Sequence, residues 1–408
     1  MCLRKVIQSV PYKSSSLPAK LLPATNLVEE EHTPHYRPQH FYPVRLYEIL
    51  NNRYQVAAKI GWGTSSTVWL ARALHQWRWL PPRYVAIKVN ANNYASQECA
   101  EKELRITEHI TRADAQHIGR NFVAKLLDSF HVSSPGGTHI CMVFDALCEP
   151  LWMLKRRFEG NIIPLDVLKP VSKLVLEGLR YLHDECHVIH TDLKSDNILL
   201  ALRNPSILDL IAQDEMNSPS PRKQVDDREI YLSRNYWGLI AQGHGLAVRG
   251  DGPPNSHPIQ PEGYRAPEVC LGGEWSYSVD IWNLGVMLWD LFYGRGPFDT
   301  PSDTRGSDSA DDAHLAQIIS LLGHPPRDLL KRGRETSRYF DAQGQFKLPG
   351  LVVKKDLISM AREIEDDGGT AQFVDFISRM LRWRPEDRST AKGLLSHPWL
   401  PQRKPETG

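Results

Sequence analysis

The sequence lacks paired cysteines. Its six, Cys2, Cys99, Cys141, Cys148, Cys186 and Cys270, are scattered and form no Cys-x-x-Cys unit. That argues against a disulfide framework or a zinc site and fits free thiols in a reducing compartment. No run of about 18 apolar residues is present, so no transmembrane helix is expected. The most apolar helical stretch, Val279 to Tyr293, is interrupted by Asp280 and Asp290. Charge of one sign is also missing: the formal net charge is +1 over 408 residues. No global field gathers nucleic acid or membrane, and neither is expected as a direct partner. The N-terminus has no acid before Glu29 and carries Arg4, Lys5, Lys13 and Lys20. It has too little arginine for a transit peptide, and Pro11 and Pro18 break any amphipathic helix, so a disordered tail is expected.

What is present is an ordinary globular composition, 41% hydrophobic and 24% charged, at a length suited to a two-lobed enzyme. Residues 1–40, rich in Pro, Ser and His, read as a flexible N-terminal arm. A folded domain is expected over 41–400, followed by a tail at 401–408. Strands are expected at Tyr54–Ile60, Thr67–Ala71, Tyr84–Val89 and His139–Phe144, with a glycine turn at Gly61-Trp62-Gly63. A helix follows over Glu98–Ile110. After Pro150 the pattern turns helical, at Val167–His183, Ser278–Tyr293, His314–Leu322 and Thr370–Leu381. In the first of these, Leu168, Val171, Leu174, Leu176, Leu179 and Leu182 form a largely buried face. The fold class is α+β: a small lobe of antiparallel sheet plus one helix (54–147) and a mainly helical large lobe (148–400). The polar stretch 203–233, with Ser218-Pro219-Ser220-Pro221-Arg222-Lys223, reads as an insertion.

Four constellations carry chemistry. Gly61-Trp62-Gly63-Thr64-Ser65-Ser66 joins two strands, where missing Cβ atoms let backbone N–H groups approach phosphate. Taken alone it is equally a plain glycine hairpin. Lys88, in Val85-Ala86-Ile87-Lys88, sits mid-strand and must snorkel or meet a fixed anion. Glu103 on the following helix is its best-placed partner, with Glu101 and Glu108 as alternatives. The third constellation is His190-Thr191-Asp192-Leu193-Lys194-Ser195-Asp196-Asn197. There Asp192 can accept a hydroxyl proton, Lys194 can neutralise a transferring phosphoryl group, and Asn197 can bind a metal through its amide oxygen. The fourth comprises Ala266-Pro267-Glu268, Asp280 and Arg388, which follow the loop in that order.

Together these residues resemble the protein kinase superfamily from Tyr54 to Leu400. More narrowly they resemble the SR-protein kinases, including fungal members. The narrower likeness rests on Ser66-Thr67-Val68-Trp69-Leu70-Ala71, His139–Phe144, Thr191, Tyr264–Val269, Ser278–Gly285, His397-Pro398-Trp399-Leu400 and an insertion directly after Asn197-Ile198-Leu199-Leu200. The resemblance implies ATP and Mg2+ as cofactors and arginine/serine-rich proteins, such as splicing factors, as substrates. It implies nucleotide contacts from Ile60, Gly61, Gly63, Val68, Ala86, Lys88, Glu103, Phe144 and Leu147. It also implies a Glu268–Arg388 ion pair, an Asp280 hold on the catalytic loop, a monomer, and a cytoplasmic and nuclear location. Such kinases hold basic substrates in an acidic groove; Asp299, Asp303, Asp308, Asp311 and Asp312 fit one, and equally fit a solvated loop.

One departure stands out. The Asp of the family's Asp-Phe-Gly is Gly243 here, in Gly243-His244-Gly245-Leu246, and Asp251 lies too near Ala266 to replace it. The strand before it, Asn235–Ile240, looks shortened. Three explanations stay open: a weak kinase or a pseudokinase serving as a binding module, another carboxylate at the metal, or a missing segment. Between Gly245 and Ala266 only Ser256 and Tyr264 carry hydroxyl side chains, so phosphorylation there has few candidate sites.

Overall fold

The structure is a computed structural model. It describes residues 9–33, 36–77, 79–202, 204–226, 228–234, 248–249, 255–298, 310–362 and 369–401. Gly243, Asn235–Ile240, Asp251, Asp299, Asp303 and Asp308 lie outside the described residues. The main helices are α1 Tyr94–Arg112, α2 Leu165–Arg180, α3 Ser206–Asn217, α4 Ser278–Tyr293, α5 Ala310–Leu322, α6 Arg327–Arg332 and α7 Gly369–Ser378. The strands are β1 Ile49–Leu50, β2 Tyr54–Gly63, β3 Ser66–Ala73, β4 Tyr84–Asn90, β5 Asp128–Ser134, β6 Gly137–Asp145, β7 Val188–Ile189, β8 Arg222–Val225, β9 Arg228–Tyr231 and β10 Val248–Arg249. The chain divides into two compact units, one of residues 1–111, 124–151 and 199–244, the other of 112–123, 152–198 and 245–408.

The first unit is built on a six-stranded antiparallel sheet in the order β1-β2-β3-β4-β6-β5. The β2–β3 hairpin runs on through both glycines, pairing Gly61 with Val68 and Gly63 with Ser66. The turn therefore falls at Thr64-Ser65, past the expected Gly61-Trp62-Gly63. Register places Gly61, Val68, Lys88 and Met142 in one row across four strands. Residues opposite each other share a face, so Lys88 projects on the same side as Val68. That side packs into a cluster of Ala58, Ile60, Val68, Leu70, Tyr84 and Ala86 with Leu208, Ile211 and Ala212 of α3. The other side carries Trp69, Ile87, Val143 and Cys141, capped by Tyr231 of β9. α1 turns Ala100 and Leu104 toward Ile140, Met142 and Phe144.

The insertion therefore has its own structure. Leu208, Ile211, Ala212 and Glu215 recur at helical spacing and are buried, which makes α3 amphipathic despite the polar composition around it. Composition likewise reads residues 1–40 as a flexible arm, yet the described part has fixed partners. Tyr12 and Gln55 exchange two hydrogen bonds. Leu22 and Arg222 pair through a parallel bridge at Leu21. Glu29, Glu30 and Glu31 reach Ser233, Lys59 and Lys223 in turn. These contacts are hydrogen bonds and ion pairs, which leave no hydrophobic period in the sequence.

In the second unit α4 is the central element, with Val279 through Trp289 all buried. Gly285 lies where a Cβ would come 3.0 Å from Leu381, and Gly294 at φ 81° ends the helix in the left-handed conformation only glycine adopts freely. α2 buries Leu168, Leu176 and Leu179, while Leu174, expected on the same face, is 46% exposed. The helix continues as a wider turn over Tyr181–Glu185 that leads into β7.

Candidate functional site

β7 feeds the loop His190–Asn197, and a buried carboxylate fixes its backbone. Asp280, in the first turn of α4, is fully enclosed. Its Oδ2 accepts from the His190 N–H and from His183 Nε2, and its Oδ1 accepts from the Thr191 N–H, all at 2.8 Å. Three donors compensate one buried charge. They also hold Thr191 at φ 66°, a left-handed conformation that costs a β-branched residue about 1–3 kcal/mol. The His190 ring is buried, and burial holds its pKa below the ordinary histidine value despite Asp280 and Asp192 nearby. Its Nδ1 accepts from the Asp192 N–H, which suits a neutral ring.

The three residues expected to do chemistry come together on this loop. Asn197 Nδ2 donates to the Asp192 carbonyl and to Asp192 Oδ2, both at 2.8 Å. Lys194 Nζ stands 3.2 Å from Asp192 Oδ1, with both side chains about a quarter exposed. Spending its amide protons on Asp192 leaves the Asn197 Oδ1 as a hard oxygen donor, the kind Mg2+ takes alongside its own waters. Among the described residues, no group of three or more His, Cys, Asp or Glu is placed to hold a metal ion. The second ligand position, Gly243, falls outside them.

The scaffold residues also meet. Arg388 grips Glu268 through two bonds of 2.7 and 2.6 Å, with both side chains almost fully buried. The same guanidinium lies 4.9 Å over the Trp282 ring. Sequence reasoning missed His183 as a third donor to Asp280; its one trace is its place in Tyr181-Leu182-His183, just before the loop. It also missed Gln260, whose amide bridges the Ala266 N–H and the Val279 carbonyl.

In the sheet unit, Lys88 Nζ contacts both Glu103 oxygens at 2.7 Å. That selects Glu103 over Glu101, which is exposed, and Glu108, which is half-buried. Ile60, Val68 and Ala86 are at most 4% exposed and share one cluster with α3. Phe144 pairs with Ala86 across the sheet and packs in the cluster beside α1. Leu147 is half-buried. Of the acidic run, Asp311 is already engaged: Arg265 Nη1 donates to it at 2.5 Å and the Tyr339 hydroxyl at 3.4 Å.

A model of the protein kinase domain matches residues 54–237 and 241–400. The chain is 34% identical over 380 residues to a serine/threonine protein kinase of Aspergillus fumigatus, covering 91% of each. It is 32% identical over 399 residues to the serine/threonine-protein kinase SRPK of Physarum polycephalum, again covering 91% of each. Protein kinase dsk1 of Schizosaccharomyces pombe is 27% identical over 475 residues, covering 91% of this chain and 85% of that one. In fold, the chain is similar to the crystallised kinase domain PF14_0431, at TM-score 0.67 and 24% identity, covering 89% of this chain and 99% of that one.

Proposed function

The chain belongs to the protein kinase superfamily and, within it, to the SR-protein kinase family; from that premise we propose that it transfers the γ-phosphoryl group of ATP to serines in arginine/serine-rich proteins such as splicing factors. One observation carries the reading: Asp192, Lys194 and Asn197 converge on one short loop whose backbone is pinned by Asp280. Asp192 accepts the proton of the substrate hydroxyl and aims its oxygen. Lys194, beside it, neutralises charge on the phosphoryl oxygens. Lys88, held by Glu103, keeps a side open toward the α- and β-phosphates. Mg2+ would be held by the Asn197 amide oxygen, and when bound it supplies charge neutralisation at the phosphates. Gly61 and Gly63 let the β2–β3 backbone approach the same phosphates. Ile60, Val68, Ala86, Phe144 and Leu147 would supply the apolar surface for the purine, the first three once α3, which packs on them, moves aside.

The test is transfer of labelled phosphate from ATP to an arginine/serine-rich peptide, with Asp192→Asn as control. Transfer by the native chain should fall by roughly 100- to 1,000-fold or more in the variant. Equal signals from the two proteins would overturn the reading.

A second reading, a pseudokinase acting as a binding module, is favoured by Gly243 and by the burial of Ile60, Val68 and Ala86 under α3. It predicts that ATP with magnesium raises the melting temperature no more than ATP with chelator, because a ligand stabilises only by binding the native state. Magnesium-dependent stabilisation together with turnover rules it out. A monomer in cytoplasm and nucleus completes the proposal; among the described residues no helix is long and apolar enough to cross a membrane.

A further inference from the structure

We propose that Ser218 is a phosphoacceptor for a separate proline-directed kinase, and that its modification unseats α3 from the sheet. Two Ser-Pro pairs stand side by side, Ser218-Pro219 and Ser220-Pro221, but they are not equivalent. Ser220 is 7% exposed, and its hydroxyl donates to Glu215 Oε2 at 2.6 Å. Ser218 is exposed, and its hydroxyl has no hydrogen-bond partner among the described residues. Its backbone has left the helix, at φ −147° and ψ 78°, as the residue before a proline is pushed out of the helical region. A cavity lined by Leu17, Lys20, Ser218, Pro219, Leu232 and Arg234 opens beside it.

The consequence follows from the charges already in place. Arg234 donates to Glu215, which is fully buried, to Asp214, and to the carbonyl of Ser218 itself. Its own backbone N–H bonds to the Lys59 carbonyl on β2, so this guanidinium ties the end of α3 to the sheet. A phosphoryl group adds about −1.5 to −2 charges at neutral pH. It would arrive at the C-terminus of α3, where the helix dipole is already negative, and would compete with two carboxylates for Arg234. Lys20, on the arm, would be drawn to it, straining the bond between the Lys20 carbonyl and the Arg222 N–H. In the step itself, Ser218 Oγ bonds to the γ-phosphorus of ATP, the bond from that phosphorus to the ADP oxygen breaks, and the hydroxyl proton leaves to the base of the modifying kinase. Release of α3 would uncover Ile60, Val68 and Ala86. The value of that exposure for nucleotide binding rests on the kinase reading; the modification itself does not.

The full chain carrying Asp192→Asn, so that its own transfer does not contribute, is incubated with a purified proline-directed kinase and ATP. Phosphopeptides are mapped, and hydrogen exchange is followed over 206–217 and 9–33. Phosphate is expected on Ser218, with α3 amides exchanging at least about tenfold faster, and neither change in Ser218→Ala. Absence of phosphate from Ser218, prior modification of Ser220, or a phosphorylated Ser218 with unchanged α3 exchange would each overturn the proposal. No nucleotide-binding readout enters, so this outcome is separable from that of the kinase reading.

Discussion

Lys59 and Lys88 stand on the same sheet among apolar strand neighbours, Ala57-Ala58-Lys59-Ile60 and Val85-Ala86-Ile87-Lys88, and each holds a glutamate. Lys59 projects on the face of Trp69, directly opposite it in register. Its ammonium is enclosed, meeting Glu30 at 2.5 Å, the Tyr231 carbonyl at 3.0 Å and Glu29 at 3.5 Å. Three donors meet three acceptors, and the site is closed. Lys88 spends its bonds on one carboxylate, and 13% of its side chain stays open. One lysine locks an arm and a hairpin to the sheet; the other pairs with a single glutamate and keeps part of its side chain open. The strand motif does not separate them, and the difference comes from what the rest of the chain lays over each face.

Removing the enclosed lysine should show the largest effect. Lys59→Met leaves Glu30 buried and uncompensated, and a broken buried pair costs about 3–5 kcal/mol. Urea unfolding should show that loss; a cost under about 1 kcal/mol would mean that water reaches Glu30 and that this face is not closed. Lys88→Met acts on rate. Phosphoryl transfer should fall by roughly 100- to 1,000-fold, the effect of losing one preorganised charge, with a smaller stability loss than Lys59→Met. A Lys88→Met chain that keeps its rate would make the two lysines alike and remove Lys88 from the site.

The contrast also explains what the sequence could and could not reveal. The loop His190–Asn197 was readable because its three functional side chains and their mutual contacts all fall within six residues. The helix Ser278–Tyr293 was readable because nearly every residue is apolar and buried. Strand positions came from β-branched runs, although the β2–β3 turn moved by one glycine unit because the glycines themselves join the ladder. The hidden features depend on distant pairing. Lys59 meets residues 29 and 172 positions away, and His183 meets Asp280 across 97. α3 was hidden by dilution: Leu208, Ile211 and Ala212 have helical spacing, but the polar residues around them set the composition. The arm buries carboxylates rather than apolar side chains, so no hydrophobicity pattern marks it.

A closed face should also refuse protons, and His139 tests that. It lies on the Trp69 side, fully buried, with Nδ1 donating to the Asn90 carbonyl at 2.9 Å. Burial holds its pKa below the usual histidine value. The folded chain therefore keeps His139 neutral where the unfolded chain takes up a proton. Stability contributed by this residue is present above about pH 6.5 and is lost as pH falls below it, by up to about 1.4 kcal/mol per pH unit. Urea midpoints between pH 7 and pH 5 should show this slope, and His139→Gln should flatten its share of it. An unchanged slope would mean that the face admits the charged ring.

The smallest effect concerns the Lys88 side, where α3 makes a lighter contact besides the Arg234 ion pairs at its end. The hydroxyls of Tyr12 and Tyr84 both reach Asp209 Oδ1, at 3.2 and 2.7 Å, and lie 3.0 Å from each other. Tyr84 makes the shorter bond and is the more buried of the two. Burial and the neighbouring Asp209 together hold its hydroxyl well above the usual tyrosine range, so it stays a donor. Tyr12→Phe removes the longer bond to Asp209 and the contact with the Tyr84 hydroxyl, and should cost about 0.5–1 kcal/mol, within the ordinary net worth of a hydrogen bond. Tyr84→Phe should cost more, because Asp209 then loses its main donor while Tyr12 stands too far to replace it fully. In the double variant the losses should not add, since both hydroxyls serve one carboxylate oxygen. Strict additivity in the urea midpoints would mean that the two tyrosines act separately on α3.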